Sequence, residues 1–222
     1  MFFYWFCYYL AFLPVRIFLP TKVIGRKNLP KKHKAILTCN HRSNADVVVT
    51  NSYLHAKPCI LAKHSLFKNK LKGAILKSWG AVPVDRESVG ISSIKTVLGE
   101  LKKEKWLLIF PEGTRKNVSD EEQMSLKNGT AMFALKSNAP IVPMWLVKKP
   151  KIFSRNVLLI GEPFYLTEFQ GQKLTTEVLT NASQVISEKM QKLRDDYLQE
   201  IQNKKEEKMQ KKLLKKKKKE VK

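Results

Sequence analysis

The chain has 222 residues, a hydrophobic content of 43%, and 42 Lys and Arg against 19 Asp and Glu, which gives a formal net charge of +23. This length suits one domain with its own apolar core, and charges spread along almost the whole sequence exclude a polytopic membrane protein. Three cysteines and four histidines without metal-ligand spacing predict neither a disulfide framework nor a structural metal site. The excess positive charge predicts an anionic partner: nucleic acid, an anionic membrane or a phosphorylated substrate.

The first nineteen residues are rich in aromatic side chains and carry no charge before Arg16. Pro14 and Arg16 interrupt this stretch before it reaches the ~20 apolar residues that a spanning helix needs. Tryptophan and tyrosine favour the headgroup region of a bilayer, and basic residues follow directly. Residues 1–21 are therefore predicted to be a helical segment that inserts into one leaflet of the cell membrane from its cytoplasmic face. The alternative is an ordinary buried N-terminal helix.

Six short apolar runs bounded by turn residues follow, and stretches with helical periodicity separate several of them. Continuous apolar runs are typical of strands buried on both faces, and their alternation with helices favours parallel pairing. The sequence therefore predicts an α/β domain over residues 22–202, with a mixed, largely parallel sheet flanked by helices. The predicted strands are 35–40, 58–62, 81–85, 106–111, 141–147 and 157–163, and the predicted helices are 47–55, 67–79, 90–103 and 129–137.

Apolar residues at helical spacing between Ile186 and Ile201 predict a helix that closes the domain. From Ile201 onward there are eleven Lys and three Glu. Such a run predicts a solvated, disordered tail over residues 203–222. The functional alternative is an electrostatic anchor for anionic lipid, in which each Lys contributes ~1 kcal/mol near the surface. Nucleic-acid binding is a third interpretation, which the lack of interleaved aromatic residues disfavours.

His41 and Asp46 lie between a predicted strand and a predicted helix. A carboxylate five residues after an imidazole across such a turn can accept from one ring nitrogen, which fixes the tautomer and leaves the other nitrogen to act as a base. Apart from the nearby Ser43, no nucleophile is evident, so such a base would deprotonate a hydroxyl that the substrate supplies. In the alternative interpretation, His41 is an ordinary loop histidine and Asp46 caps the helix.

Two further polar clusters follow apolar runs, at the carboxyl ends of predicted strands, where open α/β sheets place their sites. Arg86 comes directly after the third run. The motif FPEGTRK contains Gly113, which lets the backbone approach a bound group closely, Thr114 with its hydroxyl, and Arg115 with a planar fork suited to phosphate. Each arginine could equally be an ordinary surface residue on a turn.

The order of these clusters resembles that of the glycerolipid acyltransferases typified by 1-acyl-sn-glycerol-3-phosphate (lysophosphatidic acid) acyltransferase. The hallmark of that family is an N-H-x-x-x-x-D block, then an arginine block after an apolar strand, then F-P-E-G-T-R, then a strand of the V-P type. Here these blocks are Asn40 to Asp46, Val84 to Arg86, Phe110 to Arg115 and Ile141 to Met144. The resemblance covers roughly residues 22–188.

The resemblance implies acyl transfer from a thioester, acyl-CoA or acyl carrier protein, to the sn-2 hydroxyl of lysophosphatidic acid, with no acyl-enzyme, no further cofactor and no metal. His41 would be the general base and Asp46 the residue that orients it. The acceptor's glycerol phosphate would be held by a second set of residues: Lys63, Arg86, Glu112, Gly113, Thr114 and Arg115.

The blocks do not separate lysophosphatidic acid from glycerol 3-phosphate or another lysophospholipid as the acceptor. A non-enzymatic basic protein that binds anionic membrane or nucleic acid is the alternative from another class, but such a protein has no reason to carry His41 and Asp46 beside Arg86 and Arg115. An anionic membrane surface is therefore the expected partner, and nucleic acid is not. The donor, the acyl chain length and the oligomeric state stay open.

Overall fold

The computed structural model describes residues 12–31, 33–54, 56–84, 90–112 and 126–220, with side chains described as far as residue 214. The strands in these ranges are β1 Thr21–Ile24, β2 Ala35–Cys39, β3 Cys59–Lys63, β4 Ala81–Val84, β5 Trp106–Ile109, β6 Ile141–Leu146 and β7 Asn156–Ile160. The helices are α1 (residues 12–18), α2 Asn44–Leu54, α3 Lys70–Ser78, α4 Ile91–Lys102, α5 Gly129–Ser137 and α6 Thr176–Glu220.

All six predicted strands and all four predicted body helices are confirmed, and α5 has the predicted bounds. The strand β1 is an element that the apolar runs do not predict. Only Val23 and Ile24 are apolar there, next to Lys22 and Gly25, so the local signal is too short. β1 forms because it pairs with β7, which lies more than a hundred residues further along the chain.

The strands form one sheet in the order β1-β7-β6-β2-β5-β3-β4. Neighbouring strands are parallel, except for β6 and β7, which are antiparallel. This confirms the predicted mixed, largely parallel α/β fold. Because β6, β2, β5, β3 and β4 all run in the same direction, their carboxyl ends meet at one edge of the sheet, which we call the carboxyl edge.

Two apolar layers cover the two faces of the sheet, since successive side chains of a strand point in opposite directions. Ile36 and Leu107 lie in the layer that packs beneath α4, α5 and α6. Leu37 and Leu108 lie in the opposite layer, together with Val49 of α2. Helices therefore exclude water from both faces of the central strands, which is why these strands are apolar at nearly every position.

α6 begins as the predicted closing helix, with Ile186 and Met190 fully buried, and continues to Glu220. The prediction of a disordered tail over residues 203–222 is corrected by this helix, which extends through residue 220. Lysine, glutamate, glutamine, leucine and methionine are all strong helix formers, and Glu200 and Lys204 form an ion pair one turn apart. The side chains of residues 202–214 are exposed, so local terms hold this part of the helix.

The predicted membrane segment, residues 1–21, lies outside the described residues as far as residue 11. Its described part, α1, packs on the domain: the rings of Phe12 and Trp79 lie 5.4 Å apart, and the Arg16 guanidinium donates to the Ser52 carbonyl. Leu13 and Ile17, on another side of α1, are exposed. Within the described ranges, no helix has both the length and the apolar character that crossing a bilayer requires.

Candidate active site

Asn40 links the end of β2 to the end of β6 at the carboxyl edge. Its amide nitrogen donates to the Leu146 carbonyl at 3.1 Å, and its side-chain oxygen accepts from the Leu146 backbone N–H at 2.7 Å. The side chain thus extends the pairing of the two strands beyond their last residues. The sequence pattern predicts no separate role for Asn40, although this residue stands at the head of the N-H-x-x-x-x-D block. It fixes the backbone directly before His41.

His41 and Asp46 are brought together across the turn between β2 and α2. The His41 Nδ1 atom lies 3.1 Å from the Asp46 Oδ2 atom, and the two side chains are only 5% and 1% exposed. Asp46 also accepts from the backbone N–H groups of Arg42 and Ser43 and from the Ser43 hydroxyl at 2.9 Å. These contacts lock the carboxylate, so that it holds the ring with Nδ1 occupied and leaves Nε2 for proton transfer.

Two side chains that follow β5 pack against His41, because β5 is the neighbour of β2. The Phe110 ring lies 4.7 Å from the imidazole, centroid to centroid. Glu112 is 6% exposed, and its Oε1 atom accepts from the His41 backbone N–H at 3.1 Å. Burial raises the pKa of the Glu112 carboxyl, and the hydrogen bond from the His41 backbone opposes that increase.

This contact gives the Glu112 carboxylate a partner within the protein. A carboxylate repels a phosphate, and that of Glu112 is directed to the main chain of His41. Binding of the acceptor by Glu112 stays a prediction, and the observed contact is one with the His41 backbone. The sequence carried no local signal for the contact, since 71 residues separate the two partners.

The strand order places the other predicted residues along the same edge. Lys63 is exposed at the end of β3, in register with Val84 at the end of β4. Neighbouring strands lie about 4.8 Å apart, so the end of β4 is about 14 Å along the edge from the end of β2. Arg86, Gly113, Thr114 and Arg115 lie outside the described residues, and their roles stay predictions.

Two buried cysteines are excluded as nucleophiles. Cys39 and Cys59 are free thiols, and Cys39 lies beneath the site, 3.9 Å from the Thr50 hydroxyl. Burial raises the pKa of the Cys59 thiol to about 12 and that of the Cys39 thiol as well, so both stay protonated at neutral pH, and the thiolate is the reactive form. In the described part of the chain, no three His, Cys, Asp or Glu residues are grouped as a metal would require.

Glu112→Gln tests the free-energy cost of burying the charged Glu112 carboxylate. Folding raises the pKa of the Glu112 carboxyl, because burial disfavours its charged form. The contribution of Glu112 to the free energy of unfolding is therefore complete below the pKa of the unfolded chain, about 4.3, where the carboxyl is neutral. This contribution is lost as the pH rises through the pKa of the folded protein. Glutamine keeps an oxygen for the His41 N–H. We therefore expect the variant to be more stable than the parent at neutral pH, with a gap that closes toward about pH 4, as measured by urea unfolding.

Glu112→Ala is the matched control, because it leaves the His41 N–H without its acceptor and should destabilise the fold by about 1–3 kcal/mol. If the stability difference between Glu112→Gln and the parent stayed constant from neutral to acidic pH, the Glu112 carboxylate would not be destabilised by burial, and the assignment would be wrong.

The chain is similar to known proteins in sequence and in fold. A family model described as Acyltransferase matches residues 20–147, which is over half of the chain. A 1-acyl-sn-glycerol-3-phosphate acyltransferase from Bacillus subtilis (strain 168) is 37% identical over 158 residues, which cover 67% of this chain and 75% of that relative. A protein of the same description from Borreliella burgdorferi is 30% identical over 141 residues, covering 61% of this chain and 54% of the relative.

A solved structure has the same fold. It is that of the 1-acyl-sn-glycerophosphate (LPA) acyltransferase PlsC from Thermotoga maritima, which matches with a TM-score of 0.59 and covers 78% of this chain and 72% of its own. The two sequences are 24% identical.

Proposed function

This chain belongs to the acyltransferase family, and from that premise we propose that it acylates the sn-2 hydroxyl of lysophosphatidic acid from a thioester donor, giving phosphatidic acid. The observation that carries the proposal is the buried His41–Asp46 pair, joined at 3.1 Å at the carboxyl edge of the sheet. Relatives with 37% and 30% identity, both described as 1-acyl-sn-glycerol-3-phosphate acyltransferases, support the choice of acceptor. The catalytic unit is the domain formed by residues 22–202.

In the proposed mechanism, the His41 Nε2 atom takes the proton of the acceptor hydroxyl while the hydroxyl oxygen attacks the carbonyl carbon of the thioester. Asp46, bound to Nδ1, keeps Nε2 unprotonated in the resting ring and stabilises the positive charge once the proton has arrived. The tetrahedral intermediate then breaks its C–S bond, and the imidazolium returns the proton to the departing thiolate. The products are an ester and a free thiol, and no acyl-enzyme forms.

The acceptor's phosphate is proposed to bind along the same edge, to Lys63, Arg86 and Arg115, with Gly113 and Thr114 beside them. Lys63 supports this placement, since it stands exposed on β3, which adjoins β5 on the side away from β2. Fixing the phosphate at this edge would hold the hydroxyl against His41, and positioning of this kind can remove several kcal/mol from a reaction barrier.

The proposal is tested with the purified chain and labelled acyl-CoA or acyl carrier protein, against lysophosphatidic acid, glycerol 3-phosphate and a panel of other lysophospholipids. The expected result is the highest kcat/KM with lysophosphatidic acid and phosphatidic acid as product. A preference for glycerol 3-phosphate or another lysophospholipid would move the assignment to that acceptor. Failure to acylate any acceptor would refute the proposal and favour a non-enzymatic basic protein that binds anionic surfaces.

The chain is further proposed to work at the cytoplasmic face of the cell membrane, held by residues 1–21 and by the lysine-rich end of α6. The exposed side chains of residues 202–214 support the second attachment, since their charges are available to an anionic surface. Two weak signals together give stable attachment, where one alone is marginal.

Removal of residues 211–222 is expected to weaken binding to anionic vesicles by more than about tenfold at low salt, because each lysine contributes ~1 kcal/mol near such a surface. At high salt the loss should be small, since screening shortens the reach of exposed charges. The measurement is vesicle sedimentation at two salt concentrations.

The matched control replaces the lysines of this stretch with glutamine, which keeps the length and the helix propensity of α6. It should lose as much binding as the truncation does. An equal loss at both salt concentrations would exclude an electrostatic anchor.

A further inference from the structure

The connection between β6 and β7, residues 147–155, combines exposed apolar side chains with a cluster of cations. Its sequence, VKKPKIFSR, has four basic residues and no acidic one. Ile152 is 66% exposed and Phe153 is 75% exposed, and all four cations are exposed as well. Neighbouring exposed apolar side chains with a polar rim are typical of surfaces that contact another protein or a membrane.

The loop is held in place, so the exposure of Phe153 is built into the fold. The Phe153 N–H donates to the Phe18 carbonyl at 2.7 Å, and the two rings meet edge to face with centroids 5.4 Å apart. The Asn156 N–H donates to the Pro20 carbonyl at 2.9 Å, which ties the base of the loop to the same segment.

Phe153 adopts a left-handed backbone conformation, with φ of 54°. This conformation is unfavourable for a bulky side chain, which clashes with its own backbone there, and asparagine tolerates it far better. The contact with Phe18 still leaves Phe153 75% exposed, and the backbone conformation favours asparagine, so the fold alone does not account for phenylalanine at this position. The residue is explained if its side chain meets something outside the chain.

α1 continues the same apolar surface. Leu13 and Ile17 lie one helical turn apart and are exposed. Phe18, next to Ile17, contacts the Phe153 ring and is also partly exposed. We call Leu13, Ile17, Phe18, Ile152 and Phe153 the apolar patch. Lys148, Lys149, Lys151 and Arg155 flank it on the loop.

The patch lies at the same edge of the sheet as His41. β6 is parallel to β2, and Leu146, the last residue of β6, is bonded to the side chain of Asn40. The loop therefore leaves the sheet immediately beside the site. A substrate dissolved in a bilayer would reach His41 from this side.

We propose that the apolar patch inserts into the interfacial layer of an anionic bilayer while the flanking cations contact its headgroups, which turns the carboxyl edge toward the membrane. A bilayer is the occupant because apolar side chains surrounded by cations, with no acidic residue on the loop, complement acyl chains beneath anionic headgroups. The proposed function, with its lipid acceptor, supplies the reason why the site should face a membrane. Membrane binding itself can be measured without any acyl transfer.

The first test places a tryptophan in the patch of the full-length chain, Ile152→Trp, beside its four natural tryptophans. Vesicles contain brominated phosphatidylcholine and phosphatidylglycerol, and bromine quenches only tryptophans that enter the acyl region. The matched control is Tyr165→Trp, since Tyr165 is 52% exposed but follows Phe164, which pairs with the first residue of β6 at the opposite edge. The expected result is added quenching in Ile152→Trp and none in Tyr165→Trp. Equal quenching in the two variants overturns the proposal.

The second test measures affinity. Phe153→Asn keeps the left-handed backbone and removes the ring, and it should bind mixed phosphatidylcholine and phosphatidylglycerol vesicles roughly tenfold more weakly. Lys149→Gln should lose about fivefold on these vesicles and nothing on phosphatidylcholine alone, whereas Tyr165→Asn should bind as the parent does. Unchanged affinity of Phe153→Asn overturns the proposal.

The two proposals fail separately. If the chain acylates lysophosphatidic acid but position 152 is not quenched, only the membrane patch is refuted. If position 152 is quenched but no acceptor is acylated, only the proposed function is refuted.

Discussion

His41→Ala is expected to lower kcat for acyl transfer by roughly 10²–10⁴-fold, the range that a positioned general base contributes. The acceptor hydroxyl is a weak nucleophile, and its proton has to leave as the C–O bond forms. The ring that takes this proton is held at Nδ1 by Asp46 at 3.1 Å and is nearly closed to water, so a solvent molecule is a poor substitute. Turnover at saturating donor and acceptor measures the loss.

His33→Ala is the matched control for this variant. His33 also faces a carboxylate, Glu104, at 3.7 Å, but its side chain is exposed, and it precedes β2 at the edge of the sheet opposite to His41. This variant should retain the turnover of the parent. Comparable turnover in His41→Ala and the parent, with the fold intact by circular dichroism, would refute the assignment of His41 as the base.

Asp46→Asn should lower kcat by roughly 10²-fold or more, because an amide cannot stabilise the charge that His41 acquires and does not enforce its tautomer. The amide keeps one oxygen for the backbone N–H groups of Arg42 and Ser43, but that oxygen is no longer charged. Stability should fall by about 1 kcal/mol, because hydrogen bonds to a charged acceptor become bonds to a neutral one. The apparent KM for the acceptor should change little, because the proposed phosphate contacts lie elsewhere. Steady-state kinetics and urea unfolding measure the two effects.

Ser43→Ala separates catalysis from capping. It removes only the hydroxyl that donates to the Asp46 Oδ1 atom, so the cost should be about 0.5–1.5 kcal/mol of stability with a small effect on kcat. If both variants lost stability while Asp46→Asn kept its kcat, Asp46 would serve only to cap the first turn of α2, as the alternative interpretation of the sequence has it.

The elements of the body could be predicted because their signals are local. A strand covered by helices on both faces is apolar at nearly every position, as β2 is from Ala35 to Cys39, and such a run can be recognised without knowledge of its neighbours. β1 could not be predicted in this way, since it owes its existence to pairing with β7. The charge run after Ile201 indicated solvation correctly but not conformation, because its lysines, glutamates and leucines also favour a helix.

The contacts of the candidate site likewise fall into local ones, which the sequence predicts, and long-range ones, which it does not. Five residues and one turn separate His41 from Asp46, so their contact was predictable from spacing. The contact of Glu112 with His41 was not, because it requires β5 to lie beside β2, and no local pattern specifies strand order. The contact between Phe18 and Phe153 likewise joins two segments that are remote in the chain.

The sequence by itself determined the α/β class, six of the seven described strands and the proximity of His41 to Asp46, since each depends on interactions within about one element. Tertiary structure decided which strand ends are neighbours, that Glu112 contacts the His41 backbone, and that an apolar loop stands beside the His41–Asp46 pair. These features depend on the pairing of segments that are distant in the chain. The free energy of that pairing comes from buried apolar area and backbone hydrogen bonds, and many different side chains are compatible with both, so the sequence does not specify the partner.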